Sequence, residues 1–135
     1  MNGDEFQQEV KLLQEMGLKD SPLRREYEER VAALQLLGQK LLAAGKTEEQ
    51  AARILHAERR ALGRQYKQAA PPLFREYIYA ATAVKYGDPL GPTFDQLRKK
   101  KTCAQIIASA SRPIENLDDR LTLEGFQKWY REHKK

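Results

Sequence analysis

Few side chains in this sequence are of a type that moves protons or attacks a substrate, and none lies in a motif that specifies a reaction. Cys103 is the one cysteine, so an intrachain disulfide and a cysteine-rich metal site are both excluded. As a nucleophile it would need a base beside it; next to Thr102 it reads as a small residue at a helix start. His56 and His133 lie far apart, and no His-Glu-x-x-His or comparable spacing exists, so no structural metal is expected. The sequence calls for no cofactor. Asp88 falls in Lys85-Tyr86-Gly87-Asp88-Pro89-Leu90-Gly91-Pro92-Thr93, the one long break in an otherwise helix-patterned chain. Gly87 can take the φ > 0 that closes a helix, and Pro89 keeps Asp88 out of helical geometry. Gly91-Pro92 turns again before a new helix with Pro92 at its first position. Such a rigid loop is either a structural corner or a place where function sits.

Charge is distributed unevenly. Residues 1–50 hold 7 Lys/Arg against 10 Asp/Glu, residues 51–112 hold 12 against 4, and residues 113–135 hold 5 against 5, for a net charge of +5. A basic middle flanked by acidic and neutral segments suits RNA or DNA, an acidic protein partner, or a surface kept soluble by charge. The first residues lack the basic-then-apolar order of a signal peptide, and no apolar run approaches the roughly 20 residues of a membrane span. A soluble, cytoplasmic protein with no membrane partner is expected.

The elements that must position these groups are all helical. With 135 residues, 41% of them apolar, one domain with one modest core is the default. Phe6, Val10, Leu13 and Met16 mark a short first helix that ends at Gly17. Asp20-Ser21-Pro22 restarts the chain, with Ser21 as cap. Leu23, Tyr27, Val31, Leu34, Leu37, Leu41 and Ala44 then form an amphipathic stripe, read either as a core-facing helix or as a coiled-coil seam for a protein partner. Gly38 inside it allows a kink or close packing. Thr47 with Gln50 and Thr102 with Gln105 form capping boxes. Between Glu48 and Lys67 the apolar face is Ala51, Ile54, Leu55, Leu62 and Tyr66, with Glu58 falling inside it, while Arg53, His56, Arg60 and Lys67 collect opposite. Pro72 opens a helix carrying Tyr77, Tyr79 and Tyr86 beside Arg75 and Lys85, residue types that can stack bases and neutralise phosphates. Phe94 and Leu97 mark a short helix ending in Arg98-Lys99-Lys100-Lys101, where cations meet the dipole or a phosphate backbone. Ile106, Ile107 and Ala110 form a brief helix. Glu115 to Arg120 reads as a polar connector, and Thr122 caps a last helix bearing Leu123, Phe126, Trp129 and Tyr130. The expected fold is an all-α, compact single-domain bundle of six or seven helices. Residues 1–45 are its acidic N-terminal hairpin, residues 46–113 its basic core with the 85–93 loop, and residues 114–135 its C-terminal aromatic helix.

Residues 85–93, together with Leu97, Lys101-Thr102, Ile106-Ile107 and Ala110-Ser111-Arg112-Pro113, carry a resemblance. The pattern, with Arg59-Arg60-Ala61-Leu62-Gly63 and Tyr66-Lys67 upstream, resembles C-terminal segments of bacterial polymorphic toxins of the contact-dependent-inhibition and Rhs type over about residues 56–113. Lys101 stands where the pattern has glycine, and an aromatic helix follows Pro113 where the pattern has a glycine-rich end. The resemblance itself carries no assigned activity; joined to the basic middle, it leads to the expectation of a toxin-like effector domain acting on an intracellular polyanion, most simply nucleic acid. Arg59, Arg60, Arg64, Lys67 and Lys85 would then hold phosphates, joined by Arg98, Lys99, Lys100 and Lys101, while His56 or Asp88 would transfer the proton. The alternatives are a non-catalytic helical module that binds nucleic acid through the same residues, and a protein-interaction module. A concave pocket joining His56, Arg60 and Asp88 would favour an enzyme, and a convex basic face would favour binding.

Overall fold

The computed structural model describes residues 3–16, 22–112 and 121–134. They form seven helices: α1 (Gly3–Met16), α2 (Pro22–Ala43), α3 (Glu48–Gln68), α4 (Pro72–Tyr86), α5 (Phe94–Arg98), α6 (Cys103–Ala110) and α7 (Leu123–His133). No strand occurs among the described residues, so the chain is all-α, as its patterning implies. The helix boundaries follow from local chemistry. Thr47, Thr93 and Thr102 each accept from the backbone N–H of a glutamine three residues on, and that glutamine returns to the threonine N–H. These are three reciprocal capping boxes that satisfy orphan donors at each start. The third, Thr93 with Gln96, corrects one expectation: Pro92 lies before the cap and not at the first helical position. Gly87, at φ 73°, closes α4 in the left-handed conformation that a glycine adopts without strain. The expected Gly17 stop, Ser21 cap and 115–120 connector lie outside the described residues.

Packing divides the helices between two apolar clusters. Phe6, Val10 and Leu13 of α1 meet Leu73, Phe74, Tyr77, Ile78 and Ala81 of α4 and the fully buried Phe126 of α7. Phe126 packs at ring-centroid distances of 5.2 Å from both Phe6 and Phe74. In the second cluster Leu34 of α2, Leu55 of α3 and Ala110 of α6 are buried with Leu37, Leu41, Leu62 and Ile107 against them. Each fully buried aliphatic or aromatic side chain contributes roughly 1.5–3 kcal/mol. The α2 stripe therefore faces α3 and α6. A Cβ on Gly38 would stand 3.1 Å from Leu55 Cδ1, so this glycine permits the close approach of the two helices. Helix α1 packs on α4 and α7, while α2 packs on α3 and α6. One polar contact fixes α1 on α4: the buried Glu9 carboxylate accepts from Leu73 N at 2.7 Å and Phe74 N at 2.9 Å. It caps a helix whose own preceding residue, Pro71, supplies no side-chain cap.

Candidate nucleic-acid interface

One stripe of α3 holds the 87–93 loop. His56 Nε2 donates to the Pro92 carbonyl at 2.8 Å. Arg60 Nη1 donates to the carbonyls of Gly91 at 2.8 Å and Pro92 at 3.1 Å. Lys67 Nζ, one further turn pair along, donates to the Pro89 carbonyl. Positions 56, 60 and 67 recur at helical spacing, so one face of α3 meets three loop carbonyls. Asp88 completes the corner. Its Oδ1 accepts from Leu90 N at 2.7 Å, and its Oδ2 faces Arg60 Nη2 at 3.4 Å. Arg59, one residue round the helix, turns instead to α6 and donates to the carbonyls of Ser109 at 2.6 Å and Ala110 at 3.0 Å. A cation is thereby set at the negative end of a helix whose last turn has no basic residue.

These contacts revise the expected faces of α3. His56 and Lys67, which periodicity puts on the polar side, are buried, and Glu58, which it puts on the apolar side, is exposed. Helices α2 and α6 and the loop together cover the face of α3 that carries Ala52, Leu55, His56, Arg59 and Gly63. Glu58 stands about 120° from the middle of that face at 100° per residue, so it needs no buried partner.

The protonation states follow from the same contacts. Burial, opposed by the Pro92 carbonyl and assisted by the Arg60 and Arg59 charges, lowers the His56 pKa. Because a carbonyl only accepts, Nε2 carries the proton of the neutral ring. Burial pushes the Lys67 ammonium down to about 8, with the Asp88 charge opposing the shift. The Leu90 N–H, followed by Arg60, holds the Asp88 carboxyl below the usual carboxylate range. Burial raises the Tyr27 and Tyr66 phenols, whose rings stack at 4.9 Å.

Beside the loop lies a cavity of about 560 Å³ bounded by α2, α3, α4, α6 and the loop itself. Six cationic side chains reach its wall: Arg59, Arg60, Lys67, Lys85, Lys101 and Arg112. Tyr27, Tyr66 and Tyr86 supply aromatic surface, and Ile78, Leu90, Leu97 and Ile106 are among its apolar lining. No carboxylate lines it among the described residues. A smaller hollow of about 430 Å³ opens on the other flank of the loop, between Arg53, Arg60, Arg64 and Phe94. No cluster of three or more His, Cys, Asp or Glu suited to a metal ion occurs among the described residues.

The structure thus draws His56, Arg59, Arg60, Lys67, Lys85 and Lys101 to one cavity and separates others from it. Arg64 is exposed and lines the smaller hollow. Arg98 donates to the Lys101 carbonyl at 2.9 Å, while Lys99 and Lys100 are exposed and line neither hollow. Of the tyrosines on α4 only Tyr86 lines the cavity; Tyr77 is buried in the first cluster, and Tyr79 lies under Lys67 Nζ at 5.5 Å. The sequence reading assigns Tyr27, Tyr66 and Arg112 no role in a site, although Tyr66 and Arg112 lie among the residues that carry the resemblance. The hydroxyls of Tyr27 and Tyr66 on two otherwise aliphatic stripes are the available signal for the first two. No helix among the described residues is long and apolar enough to cross a membrane. No protein-family model matches the chain, nor does any curated protein or solved structure.

Proposed function

We propose that this chain is a nucleic-acid-binding domain that takes an unpaired nucleotide of RNA or DNA into the cavity between α3, α4 and α6, in the manner of a toxin-like effector. The observation that carries the reading is the composition of the cavity wall, which sets six cations and three phenols around about 560 Å³ without a carboxylate among the described residues. Phosphate is attracted by the cations, and every base has a face that stacks on tyrosine. The volume lies within the roughly 300–1,000 Å³ usual for small-ligand sites. Binding is supported over the assignment of His56 and Asp88 to catalysis, because both side chains are engaged with the loop backbone.

Fluorescence anisotropy with a labelled single-stranded oligonucleotide tests this. Affinity should fall steeply with salt, with a log–log slope of about 0.7 per phosphate neutralised. Lys101→Glu should weaken binding to all sequences alike. Tighter binding of an acidic peptide than of either nucleic acid, or a flat salt response, would overturn the reading.

A catalytic second reading draws on one observation, the Lys67 amine with its pKa of about 8 on the cavity wall. Such a group can exchange a proton near neutral pH during phosphodiester cleavage. Lys67→Met would then abolish cleavage of a labelled strand while weakening its binding only by the loss of one wall cation; a strand left intact by the native protein removes this reading.

A further inference from the structure

We infer that the smaller hollow is a second phosphate subsite, so that the protein engages two or more consecutive nucleotides of one strand laid across the 87–93 loop. This deepens the proposed function and rests on it. The two hollows are neighbouring grooves of one helix. Arg53, the pairs His56-Ala57 and Arg60-Ala61, and Arg64 follow one another at steps of three or four residues on one face of α3 and line the smaller hollow. His56, Arg59, Arg60, Gly63, Tyr66 and Lys67 form the adjacent stripe, which floors the larger one. His56 and Arg60 belong to both, and the loop carbonyls they hold make a saddle between the two.

The smaller hollow repeats the chemistry of the larger at reduced scale. It has three guanidiniums and one aromatic face, with Arg53 seated over the Phe94 ring at 4.5 Å. No carboxylate lines it among the described residues. Arg64 lines it and is exposed. Asp88 lines neither hollow and turns its carboxylate to Arg60, the residue they share. The loop carbonyls between the hollows are themselves partial negative charges, which favours two separate anion positions over one continuous track. A chain with regularly spaced phosphates and bases satisfies both hollows; a single phosphorylated nucleoside fills one.

The experiment compares a nucleoside 5′-monophosphate with ribo- and deoxyribo-tetranucleotides, titrated into the full chain over a series of salt concentrations. The tetranucleotides should bind more tightly, with a slope steeper by about 0.7 for each added phosphate contact. Arg64→Ala should lower tetranucleotide affinity by about two- to fivefold, the scale of one exposed charge contact, and flatten that slope. The same variant should change monophosphate binding far less, whereas Lys101→Glu should weaken both ligands. Equal slopes for both ligands, or an Arg64→Ala variant that binds tetranucleotide like the native chain, overturn the second subsite and leave the larger cavity standing. Loss of the same size from a Lys99→Glu/Lys100→Glu variant also overturns it, because general surface charge then explains the effect. If neither ligand binds at low salt, the proposed function fails and this inference falls with it.

Discussion

Replacing Glu9 with leucine should strip α4 of the cap that α1 supplies and destabilise the whole fold. The carboxylate is buried and accepts two backbone N–H groups, Leu73 N at 2.7 Å and Phe74 N at 2.9 Å. Hydrogen bonds to charged groups contribute roughly 1.5–3 kcal/mol each, and a buried donor left without an acceptor carries its own desolvation cost. Leucine of similar size recovers about 1–2 kcal/mol through apolar burial and through no longer burying a charge. The net loss is about 3 kcal/mol, within a range of about 1–5 kcal/mol, and for a domain of this size about 3 kcal/mol lowers Tm by about 9–12 °C. Glu9→Gln keeps one acceptor oxygen but sets an amide NH2 against the helix start, so it should fall between the two. Thermal and urea melts followed by circular dichroism at neutral pH check the order native, Gln, Leu. Hydrogen exchange at the Leu73 and Phe74 amides should quicken in the same order. A Glu9→Leu variant that melts with the native protein would show that α4 starts equally well without its remote cap and would refute the reasoning.

Gly38→Leu should cost about 2 kcal/mol or more by overpacking against Leu55, while Gly38→Ala should stay within about 1 kcal/mol of native, its helix-propensity gain offsetting the 3.1 Å contact; denaturant midpoints decide between these outcomes. The Lys67 pKa of about 8 in the folded chain lies below its ordinary value of 10.5, so the unfolded chain binds more protons between those pH values. Lys67 therefore adds stability as pH rises from 8 to 10.5 and loses it as pH falls again. The stability difference between native protein and Lys67→Met should follow that slope, and parallel curves would refute it. His56, whose pKa is lowered from 6.5, should cost stability as pH falls below 6.5, and His56→Gln should remove that part of the decline. Lys99→Glu/Lys100→Glu should weaken oligonucleotide binding less than Lys101→Glu alone, because only Lys101 lines the cavity; equal losses would place the contact at the helix end.

The helices are legible in the sequence because their signals are local. Thr47-Glu48-Glu49-Gln50 closes its own capping box, and Gly87 stops α4 through its own φ. The stripe of Leu34, Leu37 and Leu41 carries its orientation in its spacing. The site is only partly legible, because a cation can serve a ligand or a carbonyl and sequence does not say which. Arg59, Arg60 and Lys67 have the residue types of phosphate holders; each reaches the cavity, yet each also donates to backbone oxygens of α6 or the loop. In the sequence Glu9 is one more acid of an acidic N-terminal segment, since its partners lie more than 60 residues on. The different placing of Glu58 has the same origin. The buried face of α3 is set by α2, a loop and a short helix together, and their docking is not encoded in the periodicity of α3 alone.

The tie between Arg59 and the last carbonyls of α6 bears on the order of assembly. At eight residues α6 is too short to persist alone in water, and its C-terminal carbonyls receive their guanidinium from a position 50 residues earlier in the chain. Its formation is therefore conditional on α3 being in place, and α3, long and capped by its own residues, can form first. In native-state exchange the α6 amides should open and close as one unit with the Arg59 contact, while the middle of α3 resists until the whole chain unfolds. The cavity wall supplied by Ile106, Ser109 and Ala110 is then the last part of the site to be completed and the first to be lost.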